Sequence, residues 1–255
     1  MTVIRLLTWN VHRCLGVDGR ISPQRIAEVI GQARPDVVAL QEVDVLRKRT
    51  GLVDQADEIA RALGMNSHFN PAVRVLEELY GDAILTTLPS KLMHTGRLPG
   101  RPGLRTLEPR GALWAQIEAG GMSLQVVNTH LSLVARERRT QTDALFGPEW
   151  IGRADCTGPV ALVGDFNLVP RSRVYGRLSR RMNDAQRAPG MGKPKPTFPA
   201  GFPVLRIDHV FTRGAVTVRS VEVIRTEVTR VASDHLPLVV EFELHAEGSQ
   251  VPGAA

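Results

Sequence analysis

Asp165 and Asn167 follow the apolar run 160–163 and form the clearest candidate for a chemical site in the sequence. A short apolar run that ends at turn residues predicts a buried strand, and α/β proteins place their chemistry at the carboxyl ends of such strands. Alternation along the strand would send both polar side chains to one face and turn Phe166 into the protein. The pair would then offer a carboxylate metal ligand beside a neutral hydrogen-bond donor. A simple turn with Asx chemistry also fits Gly-Asp-x-Asn, so this stretch alone does not decide between the two.

Polar side chains end other predicted strands in the same way. Asn10 follows the apolar run 3–9, Glu42 follows the run 37–40, and His130 ends the second strand of a predicted hairpin. Charged groups are rarely buried at strand ends unless they are paired or bind a metal, so we interpret Glu42 as a metal ligand rather than a surface glutamate. The strand-end position of His130 likewise favours a catalytic role over a purely structural one.

Two acids and a histidine near the C-terminus complete the set of candidates. Asp208 lies in a predicted strand over residues 204–211, and the adjacent Asp234 and His235 precede the apolar strand 238–242. A histidine can accept a proton at one nitrogen while a carboxylate orients the other. This segment therefore predicts a general base.

The elements that must position these side chains alternate between strands and helices, which is typical of an α/β protein. Ser22 and Pro23 predict the start of an amphipathic helix that ends near Ala33. Further helices are predicted over residues 54–63, 136–146 and 171–181, with further strands over 83–87, 112–118 and 122–128. From the length of 255 residues we expect one domain over residues 1–245, followed by a disordered tail over residues 246–255.

The charge of the chain suggests a polyanionic partner. The formal net charge is +6, and the segment from Arg171 to Lys195 contains eight basic residues against the single acid Asp184. Nucleic acid, an anionic membrane surface and a phosphorylated substrate all fit this composition. Solvating arginines without a binding role fit it equally well.

The cysteines and the N-terminus indicate a cytoplasmic protein. Cys14 and Cys156 are the only cysteines, and their spacing matches neither a disulfide framework nor a zinc site. We find no signal sequence and no apolar stretch long enough to form an integral membrane segment. Without a coiled coil or an obvious apolar stripe, we expect a monomer.

Five short motifs, in this order, resemble those of the endonuclease/exonuclease/phosphatase superfamily. They are Thr8–His12, Leu40–Val43, Asn128–Leu131, Gly164–Asn167 and Ser233–Pro237, with the strand containing Asp208 between the last two. Together they extend over nearly the whole chain. The resemblance implies a four-layer sandwich, in which two packed mixed β-sheets are flanked by helices, as in deoxyribonuclease I.

The position of His130 places the resemblance nearer to one branch of this superfamily. That branch includes deoxyribonuclease I, sphingomyelinases and deadenylases, whereas the exonuclease III branch uses a tyrosine where His130 would act. A role in abasic-site repair is therefore disfavoured. The chain most resembles small bacterial metal-dependent hydrolases of the superfamily.

The resemblance also implies a role for each candidate residue. Glu42 would be the principal ligand of Mg²⁺ or Mn²⁺, together with Asn10 and Asp234, and their oxygen atoms suit such a hard ion. His235, oriented by Asp208, would be the base that activates water.

The remaining candidates would act on the water and on the phosphate. Asp165 and Asn167 would position the water and stabilise the charge of the transition state, with a second metal on Asp165 as a further option. His130 would donate a hydrogen bond to a phosphoryl oxygen, and Arg110 would contact the substrate phosphate. Glu78 is a candidate to orient His130.

The sequence leaves three hypotheses for the function. The leading one is a phosphodiesterase that acts on nucleic acid, supported by the basic segment. The second is the same catalyst acting on a phospholipid head group or a small phosphoester. The third, a non-catalytic binding scaffold, is disfavoured because every expected catalytic position is occupied.

Overall fold

The predicted strands pair into two six-stranded mixed β-sheets in the computed structural model, which describes residues 2–100 and 108–246. The strands are β1 Thr2–Asn10, β2 Val37–Val45, β3 Asn66–Val75, β4 Glu78–Thr86, β5 Ser90–Arg97, β6 Gly111–Ala119, β7 Met122–His130, β8 Val160–Asp165, β9 Asn183–Asp184, β10 Asp208–Arg213, β11 Val216–Val223 and β12 Leu238–Leu244. The helices are α1 Pro23–Ala33, α2 Gln55–Leu63, α3 Ala135–Leu145, α4 Arg173–Leu178 and α5 Thr229–Ala232. No helix in these two ranges is long and apolar enough to cross a membrane.

Each sheet contains one parallel pair of strands. The first sheet has the order β11-β12-β1-β2-β4-β3, and its parallel pair is β1 and β2. The second has the order β5-β6-β7-β8-β10-β9, and its parallel pair is β7 and β8. Parallel neighbours need a crossover, which α1 and α3 provide. The carboxyl ends of the two strands in each pair therefore lie at the same edge of their sheet.

Alternation along the strands builds the four layers. In β1, Ile4 and Leu6 face the core between the sheets, whereas Leu7 and Trp9 face the core beneath α1 and α2. A third apolar cluster lies between the outer face of the second sheet and α3 and α4, and includes Phe166. The predicted sandwich with helices on both outer faces is confirmed.

The same alternation brings polar side chains together at one end of the space between the sheets. Asn10 continues the inner-facing series of Ile4 and Leu6, just as Asp165 continues the series of Ala161 and Val163 in β8. An apolar core whose strands end in polar residues thus leads directly to a candidate site.

A buried polar bridge joins the sheets just below that end. The Asn128 side chain of β7 donates to the carbonyl oxygens of Leu40 and Ala83, at 2.8 and 2.9 Å. Its Oδ1 accepts a hydrogen bond from Gln41 Nε2 at 2.8 Å. Because amide groups buried without partners are costly, these bonds favour one relative placement of the two sheets.

Capping fixes the start of α1 and the end of α2 as the sequence predicts. The Ser22 hydroxyl accepts from the Arg25 amide at 3.2 Å at the start of α1, and Gly64 ends α2 in the left-handed conformation. The helix predicted over 171–181 is shorter, because Ser172 caps α4 and the helix ends at Leu178. Strand β10 is also shorter than predicted, since it begins at Asp208. The predicted tail, apart from Ala246, lies outside the described residues.

His209 lies buried in the outer core against Phe166 and Phe211, and the pH dependence of stability tests whether it stays buried and neutral. Its Nε2 donates to the Leu168 carbonyl at 2.9 Å, and burial followed by the charge of Arg206 lowers its pKa to about 4. The unfolded chain takes up the proton near pH 6.5, so stability falls as the pH drops from about 6.5 to 4. At pH 5 we expect His209 to account for a loss of about 2 kcal/mol relative to pH 7.

Urea unfolding at both pH values measures this loss, and His209→Gln should reduce it. Equal losses in the wild type and the variant would contradict the assignment of a neutral, buried imidazole.

Candidate active site

A cleft of about 450 Å³ opens at the polar end of the sandwich. Seven of the nine side chains predicted for the site line it: Glu42, Arg110, His130, Asp165, Asn167, Asp234 and His235. The other two lie directly behind, where Asn10 is bonded to Glu42 and Asp208 is bonded to His235. The structure thus brings all nine predicted residues into one place.

Glu42, Asn10 and Asp165 form the acidic side of the cleft. Asn10 Nδ2 donates to Glu42 Oε1 at 3.0 Å and to Asp165 Oδ2 at 3.1 Å. Glu42 occupies an irregularity in the pairing of β2 with β4 and has a left-handed φ of +59°. Non-glycine residues adopt this conformation at an energetic cost, and such strain concentrates at functional sites.

Burial makes the carboxylate of Asp165 expensive to ionise in the protein alone. Burial and then the neighbouring Asp208 raise the pKa of Asp165 to about 7, although His235 acts in the opposite direction. The Asn10 amide that bridges Asp165 and Glu42 is neutral, so it supplies no positive charge to either carboxylate. Oxygen ligands from two acids and an amide are the donors that Mg²⁺ and Mn²⁺ prefer, so these residues fit a divalent cation.

Asp234 lies at the margin of this group. Its carboxylate is partly exposed, and its Oδ1 is 3.4 Å from the Ser233 hydroxyl and 3.9 Å from His12 Nδ1. The Ser233 hydroxyl in turn donates to the Asn10 carbonyl at 2.7 Å. The segment that carries Asp234 is therefore fastened to the end of β1, beside the predicted metal ligands.

His235 and Asp208 form a buried hydrogen-bonded pair. His235 Nδ1 lies 3.0 Å from Asp208 Oδ2, which also accepts from the Thr197 hydroxyl at 2.5 Å. Burial lowers the pKa of His235, but the charges of Asp208 and then Asp165 more than offset this and raise it to about 10. The other nitrogen, Nε2, lies 3.7 Å from Asp165 Oδ2.

Asp165, Asp208 and His235 are close enough together to hold a metal by distance alone. Both oxygens of Asp208 lie within 3.2 Å of His235 Nδ1, and one also accepts from Thr197. These contacts instead favour a role for Asp208 in holding the imidazole.

Asn167 reaches the site through a turn rather than by strand alternation. The strand ends at Asp165, whose Oδ1 accepts from the Asn167 amide at 2.9 Å, and Asn167 has a left-handed φ of +50°. Asn167 Nδ2 donates to the Leu131 carbonyl at 3.0 Å and lies 3.0 Å from His130 Nε2. The predicted convergence is present, but an Asx turn produces it.

His130 lies between the acidic side and Arg110. Its Nδ1 is 3.1 Å from Arg110 Nη1, and its Nε2 is 3.4 Å from Asp165 Oδ2. Burial first, and then the charge of Arg110, lower the pKa of His130 well below its usual value, so the ring is neutral at neutral pH. The suggestion that Glu78 orients His130 is wrong, because Glu78 pairs with Arg47 at 3.3 Å.

Arg138 is a cleft residue that the sequence analysis missed. It lines the cleft from the first turns of α3, and its Nη1 donates to the carbonyl oxygens of Ser132 and Leu133 at 3.0 and 2.6 Å. One arginine among many in an exposed helix carries no sequence signal. Its position two turns after the motif that contains His130 is the one feature that could have indicated it.

The basic segment 171–195 lies mostly away from the cleft. Ser172 lines it, and its neighbours along the chain, Arg171 and Arg173, are exposed. Arg177 pairs with Asp143, and Arg181 stacks on Phe146. Lys193 and Lys195 line a separate cavity of about 320 Å³ beside β11.

Gly164 controls the approach of β7 to β8 immediately before Asp165. Its φ is +133°, and a Cβ at this position would lie 1.9 Å from the Thr129 carbonyl oxygen. We therefore expect Gly164→Ala to lower the free energy of unfolding by about 3 kcal/mol or more.

Gly176→Ala in α4 is the matched control for this substitution. A Cβ there would have only Arg180 Nη1 nearby, at 3.9 Å, so we expect a gain of about 0.5–1 kcal/mol. Urea titration of both variants tests the difference. A Gly164→Ala protein as stable as the wild type would show that β7 and β8 can separate without cost.

Comparison with known proteins gives a consistent result. The endonuclease/exonuclease/phosphatase family model matches residues 7–235. The uncharacterized protein YbhP of Escherichia coli K12 is 24% identical over 251 residues, which cover 94% of this chain and 96% of YbhP.

Solved structures share the fold. The mannosyl-6-phosphatase of Bacteroides thetaiotaomicron superposes with a TM-score of 0.76 at 20% identity, over 94% of this chain and all of that one. The catalytic domain of human Nocturnin with bound sulfate gives 0.71 at 23% identity, over 95% of each chain. At these identities the likeness extends to the fold alone.

Proposed function

This chain belongs to the endonuclease/exonuclease/phosphatase family, and on that premise we propose that it hydrolyses phosphodiester bonds with the help of a divalent cation. The observation that carries the proposal is the arrangement of one cleft. The buried pair of His235 and Asp208 faces the carboxylates of Glu42 and Asp165, with Arg110 at the other side. A water-activating base, an oxygen-rich cation site and a phosphate-binding cation are the parts that in-line hydrolysis requires.

The acidic side would hold Mg²⁺ or Mn²⁺ through Glu42 and Asn10, with Asp234 beside them. When bound, the ion supplies positive charge for the phosphoryl oxygens and for the leaving oxygen. Coordination by Asn10 requires its amide oxygen, which now accepts from the His12 amide at 3.0 Å. The proposal therefore requires the Asn10 amide to turn over, so that its oxygen instead of its nitrogen faces Glu42 and Asp165.

The proton would move through His235. In its neutral form the base takes the proton of the attacking water at Nε2, while Asp208 accepts from Nδ1 and keeps the ring in one orientation. The bond from phosphorus to the leaving oxygen breaks as the water attacks, and the leaving oxygen takes a proton from solvent. Asp165 and Asn167 line the cleft and would orient that water. No covalent intermediate with the protein is needed.

The substrate phosphate would lie on the side of the attacking water that faces away from His235. Arg110 offers a guanidinium group beside the neutral His130, and both line the cleft. A charged donor next to a neutral one suits the equatorial oxygens, on which negative charge accumulates during the attack.

Nucleic acid remains the leading prediction for the substrate, and a phospholipid head group or a small phosphoester remains the alternative. The net charge of +6 and the two arginines that flank Ser172 support a polyanion. The name of the Bacteroides thetaiotaomicron protein, a mannosyl-6-phosphatase, makes phosphomonoesters a third class to include in assays.

The test is hydrolysis of plasmid DNA, RNA, phospholipid, a small aryl phosphodiester and a small aryl phosphomonoester by the purified protein. We expect turnover of at least one ester with Mg²⁺ or Mn²⁺, its loss in excess chelator, and its return when the metal is restored. Undiminished turnover in chelator after exhaustive dialysis would contradict the proposal.

A further inference from the structure

Exposed apolar side chains line the cleft and the loop between its lining residues Phe198 and Leu205. Phe202 is 75% exposed, Leu133 71%, Val204 59%, Leu205 41% and Val169 37%. Leu133, Val169 and Leu205 line the cleft itself, and we refer to the five residues as the apolar rim. Single exposed apolar residues are normal on proteins, but a group of them around a site marks an interaction surface.

The loop that carries Phe202, the most exposed residue of the rim, is held in place by hydrogen bonds. In the loop from Phe198 to Leu205, the amides of Val204 and Leu205 donate to the Phe198 carbonyl at 2.9 and 2.8 Å. The Ala200 amide donates to the Asp234 carbonyl at 2.7 Å, which fastens the loop to the catalytic segment. Phe202 and Val204 are thus presented to solvent by a short, braced loop.

The loop is also connected to the proposed base. The ring of Phe198 lies 4.8 Å from that of His235 between centroids, and Thr197 just before it donates to Asp208. Whatever the apolar rim contacts will therefore lie next to the water-activating pair.

Arginines lie close to the rim residues along the chain. Arg136 and Arg139 follow Leu133, Arg171 and Arg173 follow Val169, and Arg225 donates to the carbonyl of Gly201 at 3.4 Å. All five guanidinium groups belong to exposed residues, and within residues 2–100 and 108–246 none forms an ion pair with an acidic side chain. The exposed Glu227 is the acidic neighbour of Arg225 along the chain.

We propose that the apolar rim and its arginines dock on an anionic phospholipid bilayer, so that the cleft takes its phosphoester at the lipid surface. Apolar side chains that penetrate the interface and arginines that meet anionic head groups are the two components of peripheral membrane binding. Duplex nucleic acid would leave Leu133, Val169 and Val204 without an apolar partner, and a single strand would need more aromatic platforms than Phe198 and Phe202. The docking thus favours the phospholipid alternative over nucleic acid, the leading prediction above. Hydrolysis of that ester rests on the proposed function, whereas the docking itself does not.

The test is sedimentation with vesicles of phosphatidylcholine and phosphatidylglycerol, with vesicles of phosphatidylcholine alone and a duplex oligonucleotide as comparisons. We expect binding to the anionic vesicles that weakens with salt. The double substitution Phe202→Ser and Val204→Ser should lower the partition coefficient at least about tenfold, because two apolar side chains are removed from the interface.

Val204→Ser and Val3→Ser form a matched pair. Val3 is 55% exposed and lies at the opposite end of β1 from the cleft, so we expect Val3→Ser to bind vesicles as the wild type does. Turnover of a small soluble phosphodiester should be the same in all these variants. The docking proposal is overturned if the wild type does not bind anionic vesicles, or if the double variant binds them as the wild type does. It is also overturned if the double variant loses binding to the duplex oligonucleotide instead of binding to vesicles.

Failure of the docking and failure of the proposed function give different results. Turnover of the soluble ester without vesicle binding overturns only the docking. Vesicle binding without turnover of any ester supports the docking and contradicts the proposed hydrolysis. Glu42→Ala should bind vesicles normally, because it leaves the rim unchanged.

Discussion

His235→Gln is expected to lower kcat/KM by a factor of about 10²–10⁴, which is the usual contribution of a positioned general base. The imidazole is buried and held at Nδ1 by Asp208, while Nε2 remains available at the cleft. Steady-state kinetics on any ester that the protein turns over measures this loss. His94→Gln is the control, because His94, in β5 of the second sheet, packs against Trp150 and does not line the cleft. A His235→Gln enzyme that retains most of its activity would remove the base from the mechanism.

The pH profile separates a base from a merely structural histidine. In the metal-free protein, carboxylates raise the pKa of His235 to about 10. A base acts in its deprotonated form, so kcat/KM should rise with pH, and because a bound cation opposes the charges of these carboxylates, the rise should end below pH 10. Asp208→Asn removes the largest charge that raises the pKa. The rising limb should therefore move to lower pH, together with a smaller loss of kcat than in His235→Gln. A limb that stays at the same pH in Asp208→Asn would contradict the assigned pair.

Glu42→Gln should weaken Mn²⁺ binding and lower kcat/KM, each on the order of a hundredfold or more, because a carboxylate ligand becomes a neutral amide. Glutamine can keep the contact with Asn10, and the negative charge beside Asp165 is lost. The free energy of unfolding without metal should therefore not fall. Calorimetric titration with Mn²⁺ and urea unfolding measure the two quantities independently.

Glu78→Gln is the matched control for the metal site. Glu78 lies in β4, next to the strand that carries Glu42, but it pairs with Arg47 and does not line the cleft. We expect its metal affinity and its kinetics to equal those of the wild type. Equal metal binding in Glu42→Gln and the wild type would remove Glu42 from the proposed ligands.

The clustering of the candidate residues could be predicted from the sequence because most of them end strongly apolar strands. Asn10, His130 and Asp165 each extend an inner-facing series, and strand periodicity alone places them at one end of the sandwich. Asp208 and His235 were predicted through the motif that contains each of them. The contact between them, over 27 residues, depends on how β10 and β12 are arranged in opposite sheets.

Other features had no local signal. Strands β3, β5 and β11 were not predicted, because they lie at or near sheet edges and mix polar with apolar residues, so their alternation is weak. A glutamate such as Glu78 is a chemically reasonable partner for His130, but only the tertiary structure shows that Glu78 pairs with Arg47 instead. The same limit applies to Arg138, which is distinguished from the other arginines only by its position in the cleft.

The docking of the two sheets, which the hydrogen bond between Asn128 and Gln41 supports, is coupled to ligand binding in the cleft above it. Glu42 belongs to one sheet and His130, Asp165 and Asp208 to the other, so neither sheet carries all of the proposed catalytic groups. Any ligand that spans the cleft binds only when the sheets are docked, and its binding energy adds to the cohesion between them. Occupancy and sheet docking are thus linked equilibria, and enzymatic activity reports on the docked state as directly as any spectroscopic probe of the core.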